Sequence, residues 1–226
     1  MKRAVVTQAF GDKWHELLKI TQPRMEAYAK RYAIDFLSIT KPVTEPVQYS
    51  KLAIGNIMLA RGYEQVTFFD ADVLVTEDCE DIGGPDMDGS QHFFCALDEG
   101  EFLDRKQGMV DLAKGFGGKI TPRFYVNTGV FVVSNKFLGL FSCPPFGCYP
   151  NHFGEQTWMN IQAHLWGMEL TPLDPAYNCM SSVESHFGLD KYKDAFCLHY
   201  AGQSFDMDKL IEVVKADDAK LKELGR

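Results

Sequence analysis

Apolar positions switch between two spacings along the first third of the chain, and the switching predicts alternating strands and helices. Ala4 to Thr7 is a short apolar strand. From Asp12 to Arg31, Trp14, Leu17, Leu18, Ile20, Met25, Tyr28 and Ala29 recur at helical spacing, and Pro23 is expected to break or kink that helix. Ala33 to Ile39 predicts a second strand, and Lys41 to Pro46 a Pro-rich loop. Ser50 to Arg61 reads as a helix with Leu52, Ala53, Ile54, Met58 and Leu59 inward and Gly62 as its stop. Gln65 to Thr76 (QVTFFDADVLVT) follows. Its run Val66 to Phe69 is β-branched and aromatic and free of charge, as strands buried on both faces are. This β-α-β-α-β order predicts an α/β fold: a central, mostly parallel sheet with helices on both faces.

The second half has a looser pattern. Strands are expected at Gln91 to Leu97, at Phe124 to Ser134 with an interruption at Asn127-Thr128-Gly129, and at Phe196 to Tyr200. Glu99 to Gly118 reads as a charged, Gly-rich helix and loop, and Gly154 to Trp166 as a helix. Cys143 to Asn151 is an aperiodic loop of the kind that carries substrate contacts. Asp206 to Leu224 is a charged helix with Leu210, Ile211, Val214 and Leu221 as its stripe, read as a solvated amphipathic helix or a docking element. No repeat or linker divides the chain, so residues 1–226 are expected to form one domain.

Composition narrows the function. The net charge of -8 argues against nucleic acid, which demands a basic face. A phosphate-bearing ligand must therefore be held locally, by a metal or a few cations. The 6 cysteines form no Cys-x-x-Cys pair, which fits buried or free thiols in a reducing, cytoplasmic setting; Cys143 and Cys148 are expected to be unbridged. The apolar run at the N-terminus is too short for a signal peptide, and no window reaches the length of a membrane span.

The chemistry gathers at strand ends. Asp70 and Asp72 follow a buried strand, where unpaired charge is costly. Residues i and i+2 of an extended chain share a side, so the two carboxylates are expected to converge on a hard divalent cation, magnesium or manganese. The plainer alternative is a turn or helix cap. His199 ends another apolar run, as a metal ligand or as a core histidine bonded to backbone. An amide and a glycine within Asn127-Thr128-Gly129 suit the close approach of a sugar hydroxyl or a phosphate, or else a β-bulge. Glu155 and Gln156 open a helix, either to complement its dipole or to face a substrate.

Taken together, several segments resemble the GT-A-fold glycosyltransferases, most closely family 8 and its glycogenin-like relatives. They are Tyr49-Ser50-Lys51-Leu52, Phe68 to Val75 around Asp70-Ala71-Asp72, Val126 to Val133, Glu155-Gln156 with Asn160, Asp174-Pro175-Ala176-Tyr177-Asn178, and His199-Tyr200-Ala201-Gly202. The resemblance implies that Asp70, Asp72 and His199 hold manganese or magnesium on the diphosphate of a nucleotide-sugar donor, a UDP-hexose. Thr7, Gln8 and Phe10 would cradle the base, with Trp14 nearby. Lys51 and Gly202 would contact the donor, the backbone of Ala71 would lie along the ribose, and Asn127 and Gly129 would face the sugar. Glu155 and Gln156 would stand beside the reacting carbon, and transfer to a hydroxyl of a glycan, lipid or protein acceptor would retain configuration. Two departures stand out. Gln203-Ser204-Phe205 replaces a frequent Lys-Pro-Trp after Gly202, and Glu155 replaces a more usual aspartate. Two rivals remain: a haloacid-dehalogenase-like phosphatase with Asp70 as nucleophile, and an inactive nucleotide-sugar-binding module. The phosphatase needs a late acidic pair at a strand end, whereas Asp217-Asp218 falls in the C-terminal helix.

Overall fold

The computed structural model of the chain describes residues 1–84, 92–97, 103–145, 147, 154–202 and 206–226. Most of the loop expected from Cys143 to Asn151, including Cys148, and the triplet Gln203-Ser204-Phe205 lie outside these residues. Among the described thiols, Cys79, Cys143, Cys179 and Cys197 are free.

The chain begins with strand β1 (Arg3–Gln8), helix α1 (Asp12–Arg31) and strand β2 (Asp35–Ile39). A 3₁₀ segment (Val47–Leu52) leads into α2 (Ala53–Arg61), and β3 (Gln65–Phe69) and β4 (Val73–Val75) bracket the Asp-Ala-Asp turn. Then come β5 (His92–Leu97), α3 (Leu103–Gly115), β6 (Val126–Ser134), α4 (Gly154–Leu165), β7 (Glu169–Pro172), α5 (Ser181–Phe187), β8 (Cys197–His199) and α6 (Met207–Glu223). Six strands form the main sheet in the order β2-β1-β3-β6-β5-β7. β6 pairs antiparallel with both β3 and β5, while β1–β2, β1–β3 and β5–β7 are parallel. The mostly parallel mixed sheet expected from the alternation is thus present. A separate antiparallel ribbon joins β4 to β8.

Both faces of the sheet are covered, which is why its central strands are apolar on both sides. Ala4, Val6, Val66, Phe68, Phe131 and Val133 pack on one face with α2 and α4 residues such as Ile54, Met58 and Met159. Val5, Val130 and Val132 pack on the other with Met25, Tyr28 and Ala29 of α1. The alternation Val130/Phe131/Val132/Val133 between two cores is the period of two expected of a strand.

Several expectations are corrected. α1 runs through Pro23 without a break, because α1 packs along its length on the sheet and on α6. Leu59 is exposed, while Gly55 on the inner side of α2 lies against Phe141, so the small residue sets the contact. Gly62 ends α2 as expected, in the left-handed region at φ 67 that a residue with a Cβ adopts at a cost. β6 is not interrupted: Asn127-Thr128-Gly129 lies inside a continuous buried strand, although its pairing with β5 shifts register nearby. α6 is the amphipathic helix expected, with its polar face exposed, and its apolar stripe is already covered and so is not free to dock. Leu210, Ile211, Val214 and Leu221 are buried in a cluster with Leu17 of α1 and Leu198 of β8. No helix among the described residues is long and apolar enough to cross a membrane.

Candidate active site and metal centre

The site sits at the carboxyl end of β3, where Asp70 leaves the sheet. The backbone N–H of Asp70 donates to the Gly129 carbonyl at 2.8 Å, continuing the β3–β6 ladder by one residue. The chain then turns. The N–H of Val73 donates back to the Asp70 carbonyl at 3.0 Å, and Thr21 Oγ1 of α1 donates to the Ala71 carbonyl at 2.8 Å. Asp70 and Asp72 therefore converge through a tight turn and not through the extended chain expected from their spacing. The turn is required because β4 must peel off the main sheet to pair with β8.

That pairing brings in the imidazole. Val73 stands opposite His199 in the β4–β8 ribbon, and the N–H of Tyr200 donates to the Asp72 carbonyl at 3.1 Å. His199 Nε2 lies 3.5 Å from Asp72 Oδ1. One ligand atom from each of Asp70, Asp72 and His199 falls within 4.8 Å of the others, the one such trio among the described residues.

The imidazole is oriented from behind. His199 Nδ1 is 2.6 Å from Asn178 Oδ1. The amide of Asn178 donates in turn to Asn127 Oδ1 at 3.3 Å, and Asn127 Oδ1 also accepts from the Gly129 N–H at 2.8 Å. An oxygen facing Nδ1 makes that nitrogen the donor and leaves the Nε2 lone pair free toward the carboxylates. Gly129 makes room for the ring: a Cβ there would lie 2.2 Å from His199 Cε1. The glycine inside β6 thus answers to a close approach, as expected, but the group that approaches is the chain's own histidine. The donor set of two carboxylates and a fixed imidazole fits manganese or magnesium.

A second charged group adjoins the first. Lys51, on the 3₁₀ segment before α2, is buried, with its Nζ 3.2 Å from Asp70 Oδ1, 3.5 Å from Glu155 Oε1 and 3.0 Å from the Thr128 carbonyl. It also stands 4.7 Å from the centre of the Phe68 ring. Burial opposes its charge, but Asp70 and Glu155 outweigh that and hold its pKa above the usual lysine value. Burial pushes the Asp70 carboxyl up; Lys51 opposes the rise and Asp72 adds to it. Burial likewise pushes Glu155 up to about 7, against the pull of Lys51. Glu155 and Gln156 occupy the first turn of α4. Gln156 Oε1 accepts from the Thr128 N–H at 3.1 Å and its Nε2 donates to the Tyr125 hydroxyl at 3.1 Å, which locks α4 against β6.

These groups line a cleft of about 270 Å³. Lys51, Asp70, Ala71, Asp72 and His199 line it, together with Asn127, Glu155 and Gln156. Gln8, Phe10, Trp14, Gln48 and Gly202 complete the lining. Gln8 Oε1 is buried with no hydrogen-bond partner among the described residues. Of the residues singled out in the sequence, Thr7 and Gly129 do not line the cleft. Thr7 is buried in β1 with its Oγ1 unpartnered, and Gly129 backs the histidine. The sequence reading gave no role to Asn178. The only signal was its place at the end of Asp174-Pro175-Ala176-Tyr177-Asn178, a turn that the Asp174 side chain caps by accepting from the Ala176 N–H. Larger hollows elsewhere, of about 440 and 560 Å³, hold no such group of ligand atoms. Asp217 and Asp218 are buried in α6, engaged by Tyr200 and Lys191 and by Arg24 and Lys222 respectively.

No protein-family model matches the chain, and no curated protein matches it. Solved structures do. A glycosyltransferase involved in glycosylation of the major capsid of PBCV-1 superposes with a TM-score of 0.61 at 14% identity, over 96% of this chain and 100% of that one. Galactosyltransferase LgtC, solved with donor and acceptor sugar analogs, gives 0.57 at 16% identity, over 94% and 95%. The apo form of glycosyltransferase GlyE from Streptococcus pneumoniae gives 0.57 at 14%, over 98% of this chain and 62% of that one. With its mixed sheet and covered faces, the chain has the GT-A fold of these glycosyltransferases.

Proposed function

We propose that the protein is a metal-dependent glycosyltransferase that moves a hexose from a nucleotide-diphosphate donor, a UDP-sugar, to a hydroxyl acceptor with retention of configuration. The carrying observation is the trio Asp70, Asp72 and His199, assembled from distant parts of the chain and tuned by Asn178. A manganese or magnesium ion bound there would act as a Lewis acid on the donor diphosphate. The chain's own residues supply the rest. Lys51 places a buried cation beside the same carboxylates, so the pocket is not left with uncompensated negative charge when a diphosphate enters. Gln8 Oε1 offers an unused acceptor to an N–H of a base, and Phe10 and Trp14 offer ring faces. Glu155, with its pKa near neutrality, can hold or release a proton at the side of the cleft lined by Asn127 and Gln156.

The fold's resemblance to enzymes that act on sugars supports this reading, as does the family-8-like order of motifs. The phosphatase alternative is less favoured. Its late acidic pair would be Asp217-Asp218, and both carboxylates are already engaged within α6 and its neighbours.

A panel of nucleotide sugars, assayed for manganese-dependent hydrolysis and thermal stabilisation, tests the proposal. UDP-hexoses should be turned over and should raise the melting temperature only with metal present. Asp72→Ala should abolish both while the circular dichroism spectrum is kept. Release of phosphate from phosphomonoesters without turnover of any nucleotide sugar, or full activity of Asp72→Ala on nucleotide sugars, would refute it.

A further inference from the structure

One of the hollows outside the cleft has the opposite electrostatic character from it. It is a groove of about 440 Å³ between α1 and α6, floored by Val75 and Thr76 at the end of β4. Five cations line it, Lys19, Arg24, Arg31, Lys215 and Lys222, against two carboxylates, Glu77 and Asp218. The groove therefore carries a local excess of positive charge in a chain whose net charge is -8.

Internal pairing leaves much of that charge open. Asp218 is shared, 2.6 Å from Arg24 Nε and 2.6 Å from Lys222 Nζ. Lys215 reaches Glu16 at 3.6 Å, with both side chains about half exposed. Arg31 donates to the Cys79 carbonyl at 3.0 Å and has no carboxylate partner among the described residues, and neither does Lys19. Arg24 is the fixed member. It is 8% exposed and held by Asp218, by the Arg226 carbonyl at 2.9 Å and by the Val75 carbonyl at 3.4 Å. Pro23, which also lines the groove, has no N–H to donate to the Lys19 carbonyl.

We propose that this groove is a binding site for a small polyanion bearing two or more phosphate groups, separate from the metal cleft. Like charges on four exposed side chains repel one another, and a multivalent anion set among them relieves that repulsion. The groove is concave and rimmed from two helices, a shape suited to a compact soluble anion in preference to a flat membrane surface. The proposal does not depend on the glycosyltransferase reading.

Pyrophosphate and inositol hexakisphosphate are the probes, with EDTA present so that the acidic cleft lacks the ion it needs to hold phosphate. Calorimetry should show saturable binding, and thermal melts a rise in melting temperature. Lys19→Glu combined with Lys215→Glu, both exposed, should weaken binding about tenfold or more, from the combined loss of two partly solvated charge contacts. Asp72→Ala should leave the affinity unchanged. Lys114→Glu with Lys119→Glu, a change of equal charge on and after α3, should leave it within about twofold, since separated surface charges are screened. Absence of binding, equal loss in the two double variants, or loss in Asp72→Ala would each overturn the proposal. So would binding to phosphatidylserine vesicles without binding to either soluble probe, which would make the groove a membrane contact.

Discussion

His199 shows how far a candidate ligand's orientation depends on the residues behind it. Its Nδ1 faces Asn178 Oδ1 at 2.6 Å, and this contact decides which nitrogen is free. Asn178→Ala should lower manganese affinity by about 10- to 100-fold, the usual cost of removing an outer partner of a metal-bound imidazole. Titration calorimetry measures it, and unchanged affinity would reduce Asn178 to a packing residue. Gly129→Ala should have the larger effect, because its new Cβ would fall 2.2 Å from His199 Cε1 and force the ring from the carboxylates. Retained metal binding in that variant would mean the ring moves freely. Glu155 gives a pH signature. Its carboxyl has an ordinary value of 4.5 and is pushed up by burial to about 7. Between those values the native state holds a proton that the unfolded chain releases, so the metal-free protein should lose stability as pH rises through that window. Glu155→Gln should flatten the slope in urea unfolding measured in EDTA. A slope unchanged by the substitution would assign it to another group.

Among the elements, β6 and the β4–β8 ribbon do most to build the site. β6 carries Asn127 and Thr128 on a strand whose other residues are anchored in both cores, so their positions are stiff. The ribbon is only three residues long on each side, yet its register sets His199 beside Asp72. α2 depends on a different feature, the absence of a side chain at Gly55, where a Cβ would stand 2.8 Å from Phe141 Cβ. Gly55→Ala should therefore destabilise by about 1–3 kcal/mol despite the better helix propensity of alanine. Urea midpoints compare the two proteins; a gain in stability would show that the segment around Phe141 yields easily.

At the level of the whole molecule, metal and fold should be linked, since an ion bound between β3, β4 and β8 binds only the native arrangement. Manganese at about 100 times its dissociation constant should add about 2.7 kcal/mol to unfolding stability, and EDTA should remove it. Asp70→Ala or Asp72→Ala should abolish the difference. A melting temperature indifferent to manganese would argue against the trio as a metal centre.

The chain's local pattern was enough to read most strands of the sheet, most helices and the Asp70–Asp72 pair, but not β7 or α5. Apolar period and a charge-free run before two carboxylates are properties of neighbouring residues, and burial rewards them wherever the strand lands. The same local reading misjudged Pro23, Leu59 and the strand through Asn127-Thr128-Gly129. Pro23 and the strand are held by packing partners distant in the sequence, and Leu59 is left exposed because Gly55 takes the contact with Phe141; no window of neighbours contains those partners. The histidine could be nominated from its place at a strand end, but only the family resemblance joined it to the carboxylates; local pattern could not. Its position depends on the antiparallel register of Val73 with His199, on the missing Cβ of Gly129 and on the amide of Asn178. Those contacts link segments far apart along the chain, and they exist only once the backbone hydrogen bonds of the folded ribbon hold them in register.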